Sequence, residues 1–205
     1  MIIEELLTEL AKAAERGAPE IAARPSDGSF LESTLESAIA GHLPGVVSTS
    51  QQRRRFPVPG FHPAPYGADI EWMLDGTRNG IEVKVSDVVD SLFDVLKLAT
   101  AVAHGIFTLG FCAVAATEGR WSRGDPVTAM FEAERGVLCD WPVAELLSGA
   151  GRDAVMVASG PRPNLVPARV GTMAGPRIVL PRAKTHVLRL LAVAATTDDL
   201  MPVEY

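Results

Sequence analysis

Asp69, Glu82 and Lys84 are the residues whose types and spacing can do chemistry. Residues 80–86 read as an extended segment in which Ile81, Val83 and Val85 point one way and Glu82, Lys84 and Ser86 the other. An acid and an amine therefore stand side by side on one face. Asp69, on an extended segment at residues 68–74, can reach the same place. Two carboxylates suit a hard divalent cation such as Mg²⁺, which takes oxygen ligands and keeps several waters. Such a cation orients a phosphate, offsets its charge and acidifies a water. A lysine beside it can position the nucleophile or stabilise charge developing on phosphorus. The bland alternative is a solvated strand face carrying a weak ion pair, with Asp69 as a strand-entry residue. Glu71 shares the alternation of Asp69 and competes with it for the role.

The elements that must position these groups follow from the flanking sequence. Thr77-Arg78-Asn79-Gly80 reads as the hairpin loop between the two extended segments, because Asn-Gly tolerates positive φ. Residues 88–104 read as a helix burying Val88, Leu92, Val95, Leu96, Ala99 and Val102, capped by Asp87 and stopped by Gly105. Asp90, Asp94 and Lys97 share one face of it. They either line the cleft or form a surface ion-pair ladder, and the ladder is the more conservative reading. Residues 106–116 are almost continuously apolar, as in a strand buried on both faces. A helix joining two neighbouring strands makes them parallel by the usual crossover, so the class is an α/β sandwich.

Asp69, a gap of twelve residues, then Glu82-Val83-Lys84 resembles the D…(D/E)xK signature of the PD-(D/E)xK nuclease superfamily, the restriction-endonuclease-like fold. Asp94-Val95-Leu96-Lys97, on the helix just after, looks like the acid and lysine pattern many members carry there. Ala68 stands where the namesake proline would be. The resemblance implies a mixed central β-sheet flanked by helices, with the core in residues 29–117. It implies Mg²⁺- or Mn²⁺-dependent hydrolysis of phosphodiester bonds, expected in DNA. Asp69, Glu82 and the backbone carbonyl of Val83 would hold the metal, and Lys84 would orient or activate water. An early helix often supplies a glutamate at the rim of such a site. Glu32 matches best, with Glu36 one turn on as the runner-up. Ser29-Phe30-Leu31-Glu32 also fits a capping box, which explains Glu32 without catalysis.

The rest of the chain gives supporting elements. Residues 2–16 read as an amphipathic packing helix ended by Gly17 and Pro19, and a linker follows. The second helix carries Leu31, Leu35, Ile39 and Leu43 as its buried stripe. Residues 46–58 read as a first strand bearing Arg53-Arg54-Arg55. On a strand Arg53 and Arg55 share a face, where they are either phosphate contacts or a solvated edge. Pro57, Pro59, Pro63 and Pro65 mark an irregular loop whose Phe61, His62 and Tyr66 either wall a groove or pack on the core. Beyond residue 117 the pattern is less decisive. Residues 118–125 read as a loop, 126–134 and 142–147 as helices, 154–159 as a strand, 171–177 as a loop and 196–205 as a polar tail. Residues 186–194 fit a strand or a helix equally. These additional C-terminal strands and short helices extend the same single domain.

Composition sets limits. The 205 residues are 47% apolar, enough for a sizeable core. A net charge of −6 argues against binding nucleic acid through a broad basic surface, though local basic patches can serve. Cys112 and Cys139 lack metal-type spacing and read as buried free thiols of a reducing compartment. An acidic N-terminus and the lack of an apolar run of spanning length give a cytoplasmic expectation, with no membrane partner. A homodimer is a further expectation, since many double-strand cutters need two sites. A non-catalytic module of the same fold, binding a protein or nucleic-acid partner, is the alternative function.

Overall fold

The structure, a computed structural model, describes residues 3–23, 32–52, 55–59, 61–62, 66–85, 88–121, 126–157, 162–180, 186–195 and 199–203. In chain order the helices and strands are α1 (Ile3–Ala23), α2 (Glu32–His42), β1 (Val46–Thr49), β2 (Phe61–His62), β3 (Ile70–Leu74), β4 (Thr77–Val85), α3 (Ser91–Ala103) and β5 (Leu109–Thr117). Then come α4 (Glu118–Trp121), α5 (Pro126–Glu132), β6 (Leu138–Pro142), α6 (Val143–Leu146) and α7 (Ala150–Val157). The chain closes with β7 (Arg162–Pro163), β8 (Leu165–Pro167), β9 (Arg169–Leu180), β10 (His186–Ala195) and β11 (Leu200–Pro202).

A seven-stranded mixed sheet in the order β1-β3-β4-β5-β10-β9-β6 forms the centre. β4 and β5 are parallel, joined by α3, and the other neighbours are antiparallel. One face packs against α1 and α2 through Leu10, Leu35, Ile39, Ile70, Trp72, Ile81 and Phe111. The other packs against α3 and the later helices through Leu92, Leu96, Val114, Trp121, Phe131 and Leu191. This is the expected α/β sandwich, with β5 central and buried on both faces.

The hairpin turn lies elsewhere than expected. Asp75 and Gly76 both have positive φ, 47° and 79°, and form the two-residue turn, while Asn79 and Gly80 lie inside β4 opposite Trp72 and Glu71. A mirror-type turn needs positive φ at both central residues, and Asp-Gly supplies it as well as Asn-Gly does. The displacement matters, because Ile70 now pairs with Ile81 and the next step along the register brings Asp69 opposite Glu82. A turn over Thr77–Gly80 would have carried Asp69 past the end of β4.

Other expectations are corrected too. α1 runs through Gly17 and Pro19 to Ala23. A side chain at Gly17 would come within 2.6 Å of the Ala38 carbonyl oxygen, so the missing side chain lets α1 and α2 approach closely. Burial of Ile21 beyond Pro19 offsets the lost backbone bond. The first strand ends at Thr49 and gives way to a short 3₁₀ turn, Ser50–Gln52. Within the proline-rich loop, Phe61 and His62 pair with Pro163 and Arg162. Residues 150–157 are helical rather than extended. Residues 171–177, with Gly171, Gly175 and Pro176, lie within β9, held by long antiparallel pairing to β10. Leu200–Pro202 pairs with β8, so the end of the described chain is not a free tail. Among the described residues no helix is long and apolar enough to cross a membrane.

Candidate active site

The site lies at the carboxyl end of β4, on the face that meets α3. Period-two alternation sends Ile81 and Val83 into the core under α1 and α2 and turns Glu82 and Lys84 to the opposite face. The Val83 N–H donates to Asp69 Oδ2 at 2.9 Å, which fixes the aspartate just ahead of β3. In an extended strand the N–H and C=O of one residue point to the same side. The Val83 carbonyl is therefore turned toward the same edge as Asp69.

Glu82 is 4% exposed and lies at the centre of a polar cluster. The Tyr66 hydroxyl donates to its Oε1 at 2.6 Å, and Lys97 Nζ approaches the same oxygen at 3.4 Å. Lys97 also donates to Asp94 Oδ1 at 2.7 Å. Burial raises the Glu82 carboxyl to about 7; Lys97 opposes the rise, and the neighbouring Asp69 carboxyl adds to it. Burial also raises Asp94, against the pull of Lys97. For Lys97 the desolvation penalty is outweighed by Glu82 and then Asp94, and its pKa moves up. Tyr66 is held neutral by burial and by the Glu82 charge. Cys112, opposite Glu82 on β5, is a buried free thiol raised by burial and by Asp94 and Glu82.

Lys84 is the more accessible amine. Its Nζ lies 3.3 Å from Glu32 Oε1, so the first turn of α2 reaches the end of β4. Burial disfavours its charge, but Asp94 and then Glu32 outweigh that and raise its pKa. It is a protonated amine at neutral pH, suited to hold an anion or orient a water rather than to take a proton.

Asp69, Glu82, Lys84 and Glu32 thus come together, and the alternatives go elsewhere. Glu36 accepts from the Ser50 N–H and hydroxyl at 2.7 and 2.6 Å and anchors the turn after β1. Glu71 is paired with Arg78 at 3.1 Å. Arg53 lies outside the described residues. Arg55 is exposed and stands on no strand, contrary to the strand expected over residues 46–58. Residues 118–121, expected as a loop, are helical, and Trp121 is buried, its indole N–H donating to the Val187 carbonyl. Cys139 is partly exposed rather than buried.

Three residues beyond the expected set join the cluster. Lys97 and Asp94 face the site and are buried, at 8% and 5% exposure, so the surface-ladder reading of this helix face is corrected. Their signal was the acid and lysine spacing on the helix. Tyr66 comes from an irregular loop, stacked on Phe61 and edge-on to Phe107, and no periodicity pointed to it.

The residues fit a divalent cation in one respect. Asp69 and Glu82 are close enough for one carboxyl to hydrogen-bond the other, and this juxtaposition raises Glu82. Two carboxyl groups so placed share a proton or a cation. Among the described residues no group of three or more His, Cys, Asp or Glu side chains forms a metal cage, so further ligands would be the Val83 carbonyl, water and substrate. Searches of protein-family models, of curated proteins and of solved structures return no match to this chain.

Proposed function

We propose that this chain is a metal-dependent nuclease that hydrolyses phosphodiester bonds, with DNA as the preferred substrate. The observation that carries the reading is that Asp69 and Glu82 are neighbours at the open end of one hairpin, with Lys84 two residues past Glu82 on the same strand face and paired with Glu32. Asp69, Glu82 and the Val83 carbonyl would hold Mg²⁺ or Mn²⁺. When bound, the cation polarises a phosphoryl oxygen and acidifies a water. Lys84 holds the attacking water or the phosphate through its ammonium group, and Glu32 orients that amine. Lys97 stays charged and offsets the buried carboxylates, and Tyr66 fixes the rotamer of Glu82 by its hydrogen bond.

A second reading is favoured by a separate observation. Glu82 is almost fully buried and already engaged by Tyr66 and Lys97, as a structural polar group would be. In that reading the chain is a non-catalytic module that binds a protein or nucleic-acid partner. Calorimetric titration with Mn²⁺ separates the two. The nuclease reading expects binding by the wild-type chain that Asp69→Asn weakens by at least about tenfold, roughly the loss of one charged ligand contact. Absence of Mn²⁺ binding by the folded protein transfers the conclusion to the binding module.

A further inference from the structure

A second cluster of charge lies on the same face of the sheet. Pairing runs in one row from Lys84 to Val114 on β5, to Arg189 on β10 and to Arg177 on β9. Residues in one row point to the same face, so both arginines share the face of Lys84. Arg189 is two strands from Lys84, about 10 Å at ~4.8 Å per strand. Arg135, just beyond α5, joins the two arginines around a cleft of about 290 Å³.

The cleft is built rather than incidental. The Arg189 guanidinium lies over the Trp121 ring, 4.8 Å from its centroid, which fixes its plane. Its Nη2 is 3.0 Å from Glu132 Oε1, while its buried Nε finds no hydrogen-bond acceptor among the described residues. Arg177 pairs with Glu118. Among the described residues, Glu118 and Glu132 are the carboxylates in ion pairs with Arg177 and Arg189. Arg177 and Arg189 stand directly opposite each other across β9 and β10, a like-charge pairing that disfavours the sheet unless something offsets it. Desolvation lowers the Arg189 pKa, and Arg177 and Arg135 add to that while Glu132 resists.

We propose that the Arg135, Arg177 and Arg189 cleft binds a phosphate group of the nucleic-acid strand whose cleavage is assigned to the Asp69 site. The inference rests on the nuclease reading for the identity of the strand. The guanidiniums supply planar donors matched to phosphate oxygens. The offset from Lys84, about 10 Å, is short enough for neighbouring phosphates of one strand to reach both places. The cleft thus fixes the register of the strand beside the site, and Glu132 competes with the phosphate for Arg189.

The test uses the full chain with two probes, inorganic phosphate and a 5′-labelled single-stranded oligonucleotide without metal. Binding is read by calorimetry and by tryptophan fluorescence. Wild-type protein is expected to bind both. Arg135→Ala and Arg177→Gln are expected to weaken both by about tenfold or more, with the salt dependence of oligonucleotide binding falling by about one phosphate contact per arginine. Glu132→Gln removes the competing anion and is expected to tighten phosphate binding, which a purely structural salt bridge would not do. Phosphate binding that responds to these variants while oligonucleotide binding does not would overturn the strand assignment and leave a site for free phosphate. No phosphate binding, with no effect of any variant on the oligonucleotide, overturns the proposal entirely. Metal-dependent cleavage that ignores both arginine variants also overturns it while leaving the nuclease reading intact. Oligonucleotide binding through the arginines without any cleavage supports the cleft and counts against the nuclease.

Discussion

Glu82 makes the strongest physical demand of any single residue. It is buried, next to Asp69, and neutralised chiefly by Lys97. Removing that partner by Lys97→Met leaves two buried acids, Glu82 and Asp94, without their cation. Breaking a buried pair in this way costs about 3–5 kcal/mol. Urea denaturation is expected to show a loss of that order, and an unchanged midpoint would mean that Lys97 is not their counter-ion. The raised pKa also makes a linkage prediction. The folded chain holds a proton on Glu82 more tightly than the unfolded chain does, so this contribution is fully present below about 4.5 and lost as pH rises through about 7. The loss is roughly 3–4 kcal/mol, from the rise of the carboxyl from its ordinary 4.5 to about 7. A divalent cation favours the ionised form, so added Mn²⁺ is expected to recover stability at pH 7.5 and little of it at pH 5. Denaturation curves at the two pH values, with and without metal, check both halves. At this scale the sequence showed Glu82 and Lys84 through strand alternation. It did not show Tyr66, whose contact depends on how a proline-rich loop folds back.

Among the elements, the β3–β4 hairpin decides whether there is a site at all. Its Asp75-Gly76 turn sets the register that places Asp69 opposite Glu82. Gly76 has open space around it, so a substitution there tests backbone strain alone. Gly76→Val, at φ near +79°, is expected to destabilise the chain by about 1–2 kcal/mol or more. It should also lower cleavage, because a strained turn loosens the register; equal stability would show that the turn is not under this constraint. The turn was misplaced from sequence because Asp75-Gly76 and Asn79-Gly80 lie four residues apart and both satisfy the same φ requirement. Helix α3 was recognised from its apolar period, but periodicity does not say whether the Asp94 and Lys97 face meets solvent or a strand. β9 was read partly as a loop because Gly171, Gly175 and Pro176 are turn residues locally. Its pairing with β10 is a long-range effect that local chemistry does not reveal.

On the scale of the whole molecule, the parallel β4–α3–β5 unit sets the architecture around the site. α3 covers one face of the sheet and supplies Asp94 and Lys97, while α2 reaches around the end of β4 with Glu32. Helices pack on both faces of the sheet, and the site lies at the carboxyl end of β4. The α/β class was legible because the apolar run of β5 between two helical patterns admits little else. Among the C-terminal strands, β10 lies inside the sheet between β5 and β9 and is buried, and its apolar run fits a helix as well as a strand. With a net charge of −6, the proposed association with nucleic acid would rely on local cations, among them Lys84 and the arginine cleft.

The central claim is tested most directly by cleavage of labelled single- and double-stranded DNA with Mg²⁺ or Mn²⁺. Wild type is to be compared with Lys84→Met, Asp69→Asn and the metal-free protein, each first shown to be folded. The account predicts metal-dependent cutting by the wild type and a fall of at least about a hundredfold in either variant, as for loss of a positioned acid–base or electrostatic group. Cutting that persists in both variants, or folded wild-type protein that cuts no substrate with either metal, would contradict it.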